Sequence, residues 1–333
     1  MKAYVLDRYG KGRTLRLGDV PDPAPPPDEV LIAIHATAIN QLDGKIRDGA
    51  FKPILPYKPP VVLGHDLAGT VLAVGAGVRG FAVGDEVYAR PRDGRIGTFA
   101  ERIAVHAADV ALKPASLSMA EAASVPLVGL TVWQALVETA QLKRGQKILI
   151  HAGSGGVGTL AIQLAKHLGA TVATTASAGN VDLVRSLGAD VVIDYKTQDF
   201  SELLSGYDVV LNSLDGKTLE QSLKVLKPGG KLISISGPPD PAFAEAQGLN
   251  IVLRTVLRLL SAGIRRKAQR AKLKYAFLFM RADGGQLGEL TKLFEAGVLR
   301  PVIDRQFSFG SLNDAIAYVD SGRAKGKVVV NVA

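Results

Sequence analysis

Lys147-Ile148-Leu149-Ile150-His151-Ala152-Gly153-Ser154-Gly155-Gly156-Val157-Gly158-Thr159-Leu160-Ala161-Ile162-Gln163-Leu164-Ala165 is a short apolar run, a glycine-rich turn and a helix-like stretch in immediate succession. Glycines let the backbone turn tightly and approach a ligand. The free N–H groups and positive dipole end of the following helix then face an anion. In this strand-turn-helix setting the expected guest is the pyrophosphate of a dinucleotide, held on Ser154, Gly155, Gly156, Val157 and Gly158. The plain alternative is a tight structural turn that holds nothing.

The next strand-like run, Thr171-Val172-Ala173-Thr174-Thr175-Ala176, bears on which dinucleotide is bound. A binder of NAD commonly ends this strand with Asp or Glu for the ribose 2′-hydroxyl, but here Ser177-Ala178-Gly179-Asn180 follows. No carboxylate repels a 2′-phosphate there, and Thr175, Ser177 and Asn180 can donate hydrogen bonds, so NADPH (NADP) is the expected cofactor. That turn has no Arg or Lys, which leaves Tyr195 and Lys196, after the following strand, as helpers.

Apolar β-branched runs at Val191–Asp194, Asp208–Asn212 and Lys231–Ile235 continue the alternation of strand and helix and predict a doubly wound parallel sheet. The ends of its strands, around Asn212–Asp215 and Ser236–Pro238, should line the ligand crevice. Before this region, Met1 to about Val125 is rich in Pro, Gly and alternating apolar residues, the texture of short strands joined by turns. At 333 residues and 47% hydrophobic the chain can build two cores. It has no cysteine, which excludes disulfides, thiolate catalysis and thiolate-bound metal. With neither a membrane-spanning run nor a leader-like start, a cytoplasmic location is the expectation.

The chain resembles the medium-chain dehydrogenase/reductase superfamily, in its zinc-free quinone oxidoreductase and enone reductase branch. The resemblance rests on Asn40-Gln41-Leu42-Asp43-Gly44-Lys45-Ile46-Arg47, Gly64-His65-Asp66-Leu67-Ala68-Gly69, Val83-Gly84-Asp85-Glu86-Val87, Gly97-Thr98-Phe99-Ala100-Glu101, Ala123-Ser124-Val125-Pro126 with Gly129-Leu130-Thr131, and the glycine loop. The tail, Leu299-Arg300-Pro301-Val302-Ile303-Asp304 with Gly322-Arg323-Ala324-Lys325-Gly326-Lys327-Val328-Val329, looks most like chloroplast alkenal and quinone reductases and the mitochondrial reticulon-interacting oxidoreductases. It implies an α/β fold: a GroES-like β-rich catalytic domain at 1–124, completed by 299–333, and a Rossmann domain with a doubly wound parallel sheet at 125–298. The active site would lie in the cleft between them.

The resemblance also implies site residues. Asn40 and Asp43 would sit beside the nicotinamide, although Asp43 also reads as a helix cap. Lys45, backbone N–H groups or a ribose hydroxyl would steady a developing enolate. Thr131, Leu214, Ser236, Gly237, Leu278, Phe279 and Lys327 complete the cofactor set. Zinc members of the superfamily hold metal with Cys and His, and His65 alone cannot make a tetrahedral site. A His65/Asp66 constellation competes with a histidine in a packed turn, and no metal is expected. His35, His106, His151 and His167 read as structural or surface residues. Without a Lewis acid, the expected hydride acceptor is activated by its own conjugation: a quinone or an α,β-unsaturated carbonyl (enone or alkenal). The Lys at 45, where quinone reductases often have Tyr, tilts the reading toward enones. The alternative class is an NADPH-binding sensor or scaffold with vestigial catalysis, since fold alone does not establish activity.

Much of the +9 formal charge falls in 251–274, where Arg254, Arg258, Arg265, Arg266, Lys267, Arg270, Lys272 and Lys274 interleave with aliphatic residues. Three readings stand: a solvated helix packed on the sheet, peripheral contact with an anionic membrane, and nucleic acid, which the lack of interleaved aromatics disfavours. The edge of the Rossmann sheet, around Tyr275–Met280, offers a homodimer surface. The segments Phe51–Tyr57 and Arg90–Ile96, with the basic stretch, would set pocket size.

Overall fold

The computed structural model describes residues 1–55 and 57–332. Its N-terminal sequence forms the short strands that its alternation predicts: β1 (Lys2–Leu6), β2 (Arg16–Asp19), β3 (Glu29–Ile39), β4 (Val61–Val62), β5 (Asp66–Val74), β6 (Glu86–Ala89), β7 (Arg102–His106) and β8 (Val110–Leu112). The central strand is β3, whose Val30, Ile32 and Ile34 meet Leu67, Val71, Val87 and Val105 in one apolar cluster. It pairs antiparallel with β5 and with β7. Helix α1 (Gln41–Arg47) follows β3 directly, and α2 (Met119–Ala123) and α3 (Pro126–Trp133) lead the chain out. A capping box of Ser118 and Glu121 starts α2.

The chain divides into two units, Met1–Leu130 with Arg281–Ala333 and Thr131–Met280. In the second, β9 (Lys147–Ile150), α4 (Gly156–His167), β10 (Thr171–Ala176), α5 (Val181–Ser186), β11 (Val191–Asp194), α6 (Phe200–Leu203), β12 (Tyr207–Asn212), α7 (Gly216–Val225), β13 (Leu226–Ser234), α8 (Pro241–Ala246), α9 (Ile251–Arg270) and β14 (Lys274–Phe277) alternate. The six strands run in the order β11-β10-β9-β12-β13-β14, every pair parallel. The strand order reverses beside β9, the topological switch point of a doubly wound sheet, and the glycine turn leaves β9 there.

The return to the first unit comes at Arg281 rather than at 299. The physical reason is α10 (Gly284–Glu295). Its Leu287 carbonyl accepts a 2.7 Å hydrogen bond from the buried Tyr88 hydroxyl. Gly284 lies so close to β8 that a Cβ would stand 2.3 Å from the Val110 carbonyl. After β15 (Ile303–Ser308) and α11 (Leu312–Asp320), the last strand β16 (Lys327–Asn331) pairs antiparallel with β3, Val328 opposite Ile39.

His151 at the end of β9 is a core residue, as its surroundings in sequence suggest. Its ring meets Phe200 edge-on at 4.7 Å. The Ser222 hydroxyl donates to the Thr218 carbonyl, so toward the ring it presents lone pairs and accepts from His151 Nε2–H at 2.9 Å. Burial pushes the imidazole down to about 4. The unfolded ring takes a proton near pH 6.5 and the folded ring only near 4. Between those values the unfolded state therefore binds more protons, and stability present above pH 6.5 is lost as pH falls. Urea denaturation at pH 7 and pH 5 should show the wild type losing about 2 kcal/mol more than His151→Gln. Equal losses would assign the acid sensitivity to other groups.

Candidate active site

Two groups of residues single themselves out, one in each unit. In the first, β3 ends in Asn40, which N-caps α1 in extended conformation. Asp43 at the third helical position accepts the Asn40 N–H at 2.8 Å, satisfying one orphan donor of the helix start. The other Asp43 oxygen lies 2.6 Å from His65 Nδ1, both side chains being buried. The Asn40 side chain turns inward, donating to Asp66 Oδ2 at 2.8 Å and accepting from Lys327 Nζ at 2.5 Å. Lys327 also reaches Asp66 at 3.0 Å, and the remaining Asp66 oxygen accepts the Leu127 N–H at the start of α3, at 2.6 Å. A carboxylate at a helix N-terminus and beside an ammonium is doubly stabilised.

The structure brings Asn40, Asp43, His65, Asp66 and Lys327 together and leaves Lys45 out. Lys45 lies two positions beyond Asp43 on α1, which on a helix is a different face, and it is exposed. Lys327, expected among the cofactor ligands, has its ammonium engaged by Asn40 and Asp66. Among these side chains His65 is the single imidazole: its Nδ1 meets Asp43, its buried Nε2 has no hydrogen-bond partner, and the neighbouring Asp66 already holds a cation, that of Lys327, so the group offers no second neutral nitrogen or sulfur ligand for the superfamily's zinc. Among the described residues no three His, Cys, Asp or Glu are grouped to hold a metal.

Tyr57, Arg90 and Asp93 were missing from the sequence-derived site. The Tyr57 hydroxyl accepts the Gly94 N–H at 3.2 Å, so Tyr57 meets the turn after β6. Burial pushes its phenol up to about 12, with Asp93 and Asp43 adding to the rise and Arg90 opposing it. Arg90 is fully buried after β6 and pairs with Asp93 at 2.5 Å. The signal available in sequence was an arginine directly behind the apolar strand residues Val87-Tyr88-Ala89.

In the second unit the glycine turn leaves β9 as expected. Ala152 takes φ 52°, a left-handed conformation costing a non-glycine residue about 1 kcal/mol. Its carbonyl accepts from Gly155 N–H and lies 2.4 Å from where a Gly158 Cβ would stand. Gly153 is as constrained, since its Cβ would meet Thr174 Oγ1 at 2.1 Å. The loop is thus pressed against its own strand and helix, leaving a cradle that suits a pyrophosphate at the start of α4.

At the end of β10 the Asn180 amide donates to Ser154 Oγ at 3.1 Å and to Ser177 Oγ at 3.2 Å, joining the loop to the turn after β10. Tyr195 N–H bonds to the Ala176 carbonyl, bringing its backbone to the end of β10, and its side chain is exposed. Thr175 departs from expectation. It is buried, and its hydroxyl accepts from Ala152 N–H at 3.0 Å, so it is engaged in shaping the loop. Leu214 and Ser236 meet where β12 and β13 end, the Ser236 hydroxyl donating to the Leu214 carbonyl, and Gly237 N–H bonds to Ser234 Oγ. Leu278 N–H extends β14 along β13 through the Ser234 carbonyl. Phe279 stacks edge-on with Phe243, and Thr131 is buried in α3.

A buried ion pair is expensive to break from one side. Asp66→Asn and Lys327→Met should each cost about 3 kcal/mol in urea denaturation, and D66N/K327M at least about 1 kcal/mol less than their sum. Strict additivity would show that the two groups do not depend on each other.

Comparison with known proteins agrees with this geometry. Residues 26–115 match the alcohol dehydrogenase GroES-like domain and residues 187–330 the zinc-binding dehydrogenase family. The chain is 39% identical to 2-methylene-furan-3-one reductase of Solanum lycopersicum, over 99% of this chain and 79% of the relative. It is 36% identical to the chloroplastic NADPH-dependent alkenal/one oxidoreductase of Arabidopsis thaliana, with the same coverage. Among solved structures, the quinone oxidoreductase of Coxiella burnetii superposes with TM-score 0.88 at 31% identity, covering 100% of this chain and 99% of that one. Fold, loop and relatives together place the chain in the medium-chain dehydrogenase/reductase superfamily, among the quinone oxidoreductases and alkenal reductases, and make it an oxidoreductase.

Proposed function

We propose that the protein is a zinc-independent, NADPH-dependent reductase of quinones or α,β-unsaturated carbonyls. The observation that carries the cofactor choice is the Asn180 amide. By donating to both Ser154 and Ser177, it leaves the two hydroxyl hydrogens to point outward as donors, with no carboxylate beside them. An anionic 2′-phosphate suits that pair. Bound there, NADPH supplies the hydride. The N–H groups at the start of α4 hold its pyrophosphate.

The protein's own part in the chemistry lies in stabilising charge that develops on the acceptor oxygen. Tyr57 is suited to this: its oxygen is occupied by Gly94 N–H, its hydrogen is free to be donated, and burial keeps it protonated at neutral pH. Asp43 and Asn40 fix the start of α1 and the His65 ring, a positioning role. Because Asp66 is neutralised by Lys327, a reaction that needs no metal suits the donor set, and acceptors polarised by conjugation meet that requirement. The names of the relatives support the same acceptor classes.

Optical measurement of NADPH and NADH oxidation against 9,10-phenanthrenequinone and a short 2-alkenal, with chelator present, tests the reading. Turnover should resist the chelator and favour NADPH, and Ser177→Asp should lower kcat/KM for NADPH at least about tenfold relative to NADH. Tyr57→Phe should lower kcat about tenfold to a hundredfold with the cofactor KM unchanged. Tight NADPH binding with neither acceptor reduced would replace the reductase by a nucleotide-binding sensor or scaffold.

A further inference from the structure

Helix α9 (Ile251–Arg270) is buried along one stripe only. Leu257, Ser261, Ile264 and Ala268 face inward, and Ile264 and Ala268 join the cluster that includes Leu149, Val210 and Leu232 of the sheet. At about 100° per residue the opposite arc is set by Val252, Val256, Leu259, Leu260 and Gly263. Solvent covers that arc although it is aliphatic: Ile251 is 75% exposed, Val252 67%, Val256 44%, Leu259 69% and Leu260 63%. Single exposed leucines are ordinary, but consecutive turns of one helix showing five large aliphatics form a patch that calls for a partner.

The charges around the patch identify that partner. Residues 251–274 carry eight Lys or Arg and no Asp or Glu. At the same angular step Arg266 and Arg270 fall on the aliphatic side, toward the C-terminal end of the helix, whereas Arg254, Arg258 and Arg265 lie together between the buried stripe and that side. Of the acidic groups on neighbouring elements, Glu220 of α7 is spent on Lys267 at 2.7 Å, Asp240 caps α8 and is buried, and Glu245 of α8 is exposed. A second copy seated isologously would bring both basic sets together, which is unfavourable. A polynucleotide would match the charge and leave the aliphatic arc in water, and the helix has no aromatic side chain to stack on bases.

We propose that α9 is a membrane-surface helix, lying along an anionic bilayer with Val252, Val256, Leu259 and Leu260 in the acyl boundary and the arginines on lipid phosphates. No helix among the described residues is long and apolar enough to span, so the contact is with one leaflet. The placement does not depend on which acceptor is reduced, and it would set the protein beside lipophilic ones.

Flotation of the full chain with vesicles of phosphatidylcholine alone, or with about 30% phosphatidylserine, tests this. The protein should float with the anionic vesicles only, and high salt should weaken binding. R266Q/R270Q should weaken it about thirtyfold and L259S/L260S on the order of a hundredfold. Because all four side chains are exposed, melting temperature and NADPH affinity should stay at wild-type values, which separates lost docking from lost folding. Absence of binding to either vesicle would overturn the proposal, and so would binding that L259S/L260S leaves intact, since that is charge attraction without insertion. Dissociation of a lipid-free dimer by L259S/L260S, seen by light scattering, would assign the arc to a second copy instead and equally overturn it.

Discussion

The ion pair between Asp66 and Lys327 is the constraint on which the first unit turns. One carboxylate ties together four elements that are distant in sequence: β5, on which it stands, Asn40 at the start of α1, the first turn of α3 through Leu127 N–H, and the return strand β16 through Lys327. Desolvating two charges is costly, and an apolar pair of the same volume would be at least as stable. What the charged pair adds is a single solution. Only one register of β16 against β3 sets Lys327 beside Asn40, because a slip of one residue would turn its side chain to the other face. The same register fixes the side chain of Asn40 and so the entry to α1, where Asp43 and His65 meet.

The nucleotide unit is organised by a different device, a strained turn locked by its own strand. Ala152 in a left-handed conformation sends its carbonyl toward Gly158 and its N–H to Thr175, and Thr175 in turn lies 3.3 Å from the His151 ring. The neutral imidazole then reaches Ser222 and through it the Thr218 carbonyl of α7. The loop's shape is therefore carried by buried hydrogen bonds that leave no side chain in the phosphate cradle. Its polar groups that face outward, Ser154 and Ser177, are ordered separately by Asn180. Such preorganisation lowers the ordering cost of binding an extended ligand.

Which of these features could be read from the chain depended on whether they are local. The strand, turn and helix of the nucleotide loop, the parallel strands and the short-stranded N-terminal region follow from periodicity and glycine placement within a dozen residues, and all are present. A sheet covered on both faces buries both alternating sets, so the hydroxyls at 174 and 175 give no sign in sequence of which groups they meet. Lys45 enters the site through the family resemblance, whereas helical geometry sets it on a different face from Asp43. Lys327, Arg90 and Tyr57 gain their surroundings from strands and loops that meet only in the folded chain. The return point was misplaced for the same reason: α10 is amphipathic, and only the Tyr88 hydrogen bond and the close approach at Gly284 show which core it joins.

Charge distribution separates the two surfaces on which a ligand can act. The candidate chemistry is carried by groups that are paired with one another: Asp66 with Lys327, Asp93 with Arg90, and Asp43 by a hydrogen bond with the His65 ring. A site so balanced exerts little long-range attraction and selects its ligand by shape and hydrogen bonding at contact. An excess of basic charge instead lies in 251–274, most of it on a helix whose inward face is packed and whose outward face carries exposed aliphatic residues. Long-range electrostatics and exposed apolar area therefore coincide on one element, where a field several charges strong extends about a Debye length into solvent. Charge alone would serve solubility, and an aliphatic arc alone would endanger it. Their coincidence on a single helix is the pattern expected of a surface that meets an extended anionic partner.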